Sequence, residues 1–169
     1  DTISKEQSPD YRRFTITGTL ENEKPFRILS KVHKDQLGYH LIVPFTLSNG
    51  ARLLVNLGWM PLDKSIKDIT FPESPITISG IAKSTTGRTS YTPENNYQTH
   101  ELFSLDPVEV AQEKSWPSLL PFYLVRISKG AFTQDTPVPL EEKIAITNSH
   151  LGYAITWYLW IKTLNKHQD

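Results

Sequence analysis

The 169 residues contain no cysteine, which excludes disulfides, thiolate metal sites and a cysteine nucleophile together. A cysteine-free chain suits oxidising and reducing compartments alike. Net charge is also lacking. Eighteen Lys and Arg residues balance eighteen Asp and Glu, so no overall field draws the chain to nucleic acid or to an anionic bilayer. Nucleic acid is therefore not expected as a partner.

The eight glycines are dispersed and form no phosphate-cradling loop. There is no G-x-S-x-G elbow and no H-E-x-x-H. His33, His40, His100, His150 and His167 contain no pair at ligand spacing, so a zinc site is not expected. Glu141 and Glu142 adjoin and point to different faces. Nothing specific supports catalysis, and the chain is expected not to be an enzyme. A long apolar run is missing too: Leu151–Ile161 holds eleven mostly apolar residues before Lys162, whereas crossing a bilayer takes ~20. Asp1–Asp10 is polar, without the apolar stretch of a signal peptide. The chain also begins without Met, as a fragment with its targeting segment removed would.

Aromatic residues (11%) and twelve prolines favour a strand-and-turn protein. Alternation in Tyr11–Glu21, with Phe14, Ile16 and Leu20 on one side, predicts a half-buried strand. Phe26–Val32 predicts a second. Gly38–Leu47 and Ala51–Met60 flank Ser48-Asn49-Gly50, a pattern for a hairpin. Tyr39, Leu41, Val43, Phe45 and Leu47 share one face of the first arm, and Leu53, Val55, Leu57 and Trp59 one face of the second. Pro44 cannot donate to a ladder and is expected at an edge or bulge. A short helix is expected at Asp63–Asp68, then a strand at Pro75–Ser84 and a long polar loop at Thr85–Thr99. Asp106 as N-cap, Pro107 at the first helical position and Glu109 completing a capping box predict a helix to about Lys114. Pro121–Ser128 is strand-like again. Leu140–Leu164 has helical character, with Tyr153, Trp157 and Trp160 on one face.

His150 opens that aromatic segment, just after Asn148 and Ser149, which can cap a helix start. A neutral imidazole beside tyrosine and tryptophan rings is what axial haem ligation requires. Considered as a residue alone, a lone histidine near an apolar face is more often packed and hydrogen-bonded. His40, within a strand, reads as a surface or hydrogen-bonded histidine. Arg12-Arg13 reads as a solvated basic pair, with contact to headgroups or propionates as the lesser reading.

Several pieces, in order, resemble one family. They are Tyr11-Arg12-Arg13 leading to Gly18; Gly38-Tyr39-His40 with Pro44; Leu54-Val55-Asn56 with Gly58-Trp59-Met60-Pro61; Pro93-Glu94-Asn95-Asn96; Phe103-Ser104-Leu105-Asp106; Leu120-Pro121 with Tyr123-Leu124; and Asn148 to Trp157. Together they look like the surfeit locus protein (Shy-type) family of cytochrome c oxidase assembly factors, over roughly Tyr11 to Trp160. The resemblance implies a domain at the inner membrane, facing the periplasm or the mitochondrial intermembrane space, between two membrane helices that are absent or incomplete in this chain. It implies handling or insertion of haem a during maturation of oxidase subunit one. The partners implied are that subunit and the haem a synthesis machinery. His150 is then the haem-iron ligand, with Tyr153 and Trp157 lining the same cofactor site. A scaffold that holds nascent oxidase subunits without touching haem is the alternative. The family's Asn-Arg-Gly-Trp reads Asn56-Leu57-Gly58-Trp59 here, so pairing of that arginine with a propionate is not available.

The expected architecture is mainly β, a β-barrel-like antiparallel sheet of six or seven strands with one short internal helix and a C-terminal helix. The expected division is a soluble β-rich domain over residues 1–146 and a membrane-proximal helix over 147–169.

Overall fold

The computed structural model describes residues 12–21 and 24–140. Seven strands form: β1 (Arg12–Leu20), β2 (Phe26–His33), β3 (Gln36–Leu47), β4 (Arg52–Pro61), β5 (Ile76–Lys83), β6 (Glu101–Leu102) and β7 (Leu119–Arg126). One α-helix, α1 (Pro107–Lys114), and a 3₁₀ turn at Ile66–Asp68 accompany them. The sheet runs β1-β5-β7-β4-β3-β2-β6, and β1 additionally pairs with β3.

The strand faces follow from alternation. Tyr39, Leu41, Val43 and Phe45 of β3 join Leu53, Val55 and Leu57 of β4 in the main core, as their spacing predicts. The opposite face is buried as well. Ile42, Leu54, Tyr123 and Val125 meet Phe26 and Ile28 in a second core, covered by Leu102, Leu105 and Val110. Burying both faces explains the nearly unbroken apolar run Leu41–Phe45. Each such side chain contributes ~1.5–3 kcal/mol when fully buried.

One expected inward residue is displaced. The β3–β4 register passes from Leu41↔Gly58 to Ile42↔Asn56, leaving Leu57 as the extra residue of a bulge. The bulge reverses the alternation beyond it, so Met60 enters the main core in place of Trp59. The Trp59 indole instead donates to the Lys31 carbonyl at 3.0 Å.

The Asn49-Gly50 turn closes as expected. Leu47 N–H reaches the Ala51 carbonyl at 2.8 Å, Asn49 Oδ1 accepts from Ala51 N–H at 2.9 Å, and Gly50 supplies a φ of 88°. Pro44 falls where β3 changes partners, between Ile42, opposite Phe26 of β2, and Phe45, opposite Leu20 of β1. A residue without an N–H suits that handover. At Gly18 a Cβ would overlap the Thr46 carbonyl, which is how β1 comes close enough to pair with β3 as well as β5.

The expectation of an antiparallel sheet needs correction. The sheet is mixed, because β4 pairs parallel with β7 and β2 parallel with β6. Both pairings join segments far apart in sequence, so no hairpin signal announces them. The excursion through α1 returns the chain beside β4 in the same direction.

Helix α1 begins as read: Asp106 accepts from Val108 N–H at 3.0 Å and Pro107 follows. Glu109, expected to complete a capping box, instead accepts from the Tyr97 hydroxyl at 2.8 Å. Ser115 ends the helix in the left-handed region. The expected C-terminal helix lies outside the described residues.

Candidate functional site

His150, Tyr153 and Trp157, the site residues read from the sequence, all lie outside the described residues. What the structure gives is the ground from which the chain sets out toward them. Val138 and Trp59 exchange backbone hydrogen bonds at 2.9 and 2.8 Å, and Leu140 N–H reaches the Arg126 carbonyl at 3.1 Å. Leu140 then packs on the second core.

Arg126 fixes this strap. Its side chain is buried and meets carbonyls in every direction. Nε donates to Leu57 O at 2.8 Å, Nη1 to Ser128 O at 3.1 Å and Lys129 O at 3.3 Å, and Nη2 to Pro137 O. The guanidinium also lies 4.8 Å from the Phe132 ring centroid. Burial lowers its pKa to about 10, so the group stays charged. Leu57 has its side chain in the main core.

Beside the strap sits a polar group built from motif residues. His40 stands opposite Trp59 in the β3–β4 register. Its Nδ1 lies 3.1 Å from Asn56 Nδ2. An amide nitrogen can only donate, so Nδ1 accepts and the imidazole proton sits on Nε2. Asn56 Oδ1 in turn accepts from Gly58 N–H at 2.9 Å. Burial first, then the positive charges of Lys31 and Lys83, push the His40 pKa down to about 4. Lys31 is itself lowered, by burial and then by Lys83. The His33 ring packs 5.2 Å from that of Trp59. Near neutral pH the His40 imidazole is therefore uncharged, and too weakly basic to act as a general base.

His40 is thus the hydrogen-bonded histidine expected of it. The other motif residues are largely architectural. Asn95 Oδ1 accepts from Phe103 N–H at 2.7 Å and Ser104 N–H at 3.2 Å, while Nδ2 donates to Ser104 O at 3.0 Å. Asn96 exchanges backbone bonds with Glu101 at 2.8 and 3.0 Å. Arg12 and Arg13 do not form the solvated pair expected. Arg13 is exposed, whereas Arg12 is buried on the face of β1 that it shares with Ile16. Among the described residues no group of three or more histidines and acids is placed to hold a metal.

Lys31, Lys83 and Arg126 escaped sequence reasoning. The lysines come from β2 and β5, and nothing local links them to His40. Arg126 carried one signal, a cation closing the otherwise apolar run Leu119–Val125.

Among the described residues no helix is long and apolar enough to cross a membrane. Residues 1–160 match the model of the SURF1 family. The chain is 28% identical to a SURF1-like protein of Rickettsia bellii over 88% of its own length and 63% of the relative's. A SURF1-like protein of Caenorhabditis elegans is 25% identical, over 93% and 57%. Surfeit locus protein 1 of Rattus norvegicus is 22% identical, over 88% and 53%. The chain therefore spans rather more than half the length of these curated relatives. With the family model covering nearly all of it, the chain belongs to the SURF1 family.

Proposed function

We propose that this chain is the water-facing part of a non-catalytic assembly factor for cytochrome c oxidase, which handles or inserts haem a as subunit one matures. The observation that carries the proposal is the family match across residues 1–160, which includes the segment from Asn148 to Trp157. In this reading His150 supplies the axial nitrogen to the haem iron, and Tyr153 and Trp157 flank the macrocycle. The haem a synthesis machinery and subunit one are the partners. The protein resides at the inner membrane, facing the periplasm or the intermembrane space, and its flanking helices anchor it.

The described structure supports the reading in two ways. The strap ending at Leu140 is held to β4 and β7 by backbone bonds and to Arg126 through Pro137. It thus gives a rigid base to whatever follows. Lys31 places positive potential at His40, near the same base, and potential of that sign favours propionates. The barrel-like closure expected of the sheet is supported by β1, whose end pairs with β3 as well as β5.

The test is spectroscopic. Haem a is titrated into the full-length, membrane-inserted protein and into its His150→Ala variant. The expected result is a saturable Soret shift in the parent and a much weaker one in the variant. Equal shifts and affinities would remove His150 from the site. A protein that captures subunit one but takes up no haem would favour the scaffold reading.

A further inference from the structure

A second polar site lies apart from the residues just discussed, between the turn preceding β2, the loop leading into β6, and the end of α1. Lys24, Pro25, Gln98, Thr99, His100, Lys114 and Trp116 line an open cleft of about 530 Å³. That is the size of a small-molecule site, and many times the ~30 Å³ share of one water.

His100 is held firmly. Its φ of 60° is a left-handed conformation that histidine adopts more readily than most residues. Its ring stacks on Phe26 at 4.3 Å between centroids and 8° between planes. Nδ1 lies 3.2 Å from the Lys24 carbonyl, which can only accept, so Nδ1 carries the proton and Nε2 has the lone pair. Lys114 Nζ sits 2.5 Å from that Nε2 and 3.1 Å from the Tyr97 carbonyl. Two of its three ammonium protons are thereby committed to neutral acceptors, and one is left.

Among the described residues no acid forms an ion pair with Lys114 or Lys24. Glu101 pairs with Arg27 at 2.6 Å, and Glu109 takes the Tyr97 hydroxyl. Lys114 and Lys24 both act as positive charges on His100. Beside them stands Trp116, braced by the Arg52 guanidinium 4.1 Å from its ring centroid and by the Phe26 edge at 6.1 Å. A positioned ammonium, a second one at the rim and a rigid aromatic wall suit an oxyanion attached to an apolar group.

We propose that this cleft binds a small oxyanion, a carboxylate or phosphate, carried on a flat apolar body that lies along Trp116. Lys114 and Lys24 hold the anion, while the Gln98 side chain supplies a neutral hydrogen-bonding group at the rim. The site shares none of the residues named for haem, so it stands or falls independently of that reading.

The experiment titrates benzoate and, separately, inorganic phosphate into the isotopically labelled chain while nuclear magnetic resonance follows the Trp116 indole N–H and the Thr99 and His100 amides. Saturable shifts confined to these groups are expected, with benzoate binding more tightly than phosphate. Lys114→Gln should weaken benzoate by roughly tenfold or more, the scale of one charge-assisted hydrogen bond. Lys24→Gln, an exposed change that leaves the fold alone, should weaken it to a lesser extent. Shifts that rise linearly without saturating, or that sodium chloride reproduces, would overturn the site. So would benzoate binding that both variants leave unchanged. Phosphate binding as tightly as benzoate would overturn the aromatic half of the proposal.

Discussion

His40 Nδ1 and Asn56 Nδ2 lie 3.1 Å apart on adjacent strands, while the other end of the Asn56 amide accepts Gly58 N–H at 2.9 Å. One buried amide thus ties the bulge of β4 to the histidine of β3.

Asn56→Ala should leave the Gly58 N–H without its partner, at a cost of about 1–3 kcal/mol. Urea denaturation followed by tryptophan fluorescence measures this directly. A change below a few tenths of a kcal/mol would show that the amide contributes little to the bulge.

Protonation of His40 gives stability a pH dependence of definite sign. Folding holds its pKa at about 4, below the ordinary 6.5, so the unfolded chain binds the extra proton between those values. Stability is full above pH 6.5 and falls as the pH drops toward 4, by at most about 3 kcal/mol. In His40→Gln this part of the slope should vanish, even if the variant is weaker at every pH. Parallel pH profiles for parent and variant would dismiss the effect.

Gly58 has a φ of 124°, and a Cβ on it would overlap the Val138 carbonyl. Gly58→Ala should cost at least about 1–3 kcal/mol from backbone strain alone, and should loosen the Trp59–Val138 pairing. Hydrogen exchange at the Val138 amide should quicken by more than exchange at the Leu54 amide. Uniform quickening at both would mean global destabilisation without release of the strap.

Arg126→Met should strip buried carbonyls of their donor and cost about 2–5 kcal/mol. It is the loss of a buried, hydrogen-bonded cation from among groups that cannot find water. Limited proteolysis near residues 128–137 should accelerate in the same variant. An unchanged cleavage rate there would show that the strap holds without the guanidinium.

The sequence already announces much of this fold, because much of it is local. The Asn49-Gly50 turn, the inward face of β3, that of β4 as far as Leu57, and the Asp106-Pro107 helix start are decided by neighbouring residues, and each appears as read. What escapes is non-local or breaks a period. A single bulge residue, Leu57, turns the buried Trp59 away from the main core and Met60 into it. The parallel β4–β7 pairing joins segments that no turn connects. The polar group at His40 borrows its lysines from β2 and β5, and the cleft at Lys114 draws on three separate stretches. Arginine is usually solvated, and at Arg12 the burial of one face of β1 overrides that preference.

The placement of β1 has a consequence for a chain emerging from the ribosome. Arg12 pairs with Ala82 and Thr17 with Thr77, so most of β1 waits for β5, which is made later. Until then only Gly18–Leu20 has a partner within reach, on β3. For the time it takes to translate the intervening residues, the rest of β1 is an unsatisfied edge. The growing chain is therefore most open to mispairing before β5 arrives, and sealing the sheet depends on β1, the earliest made of the described strands.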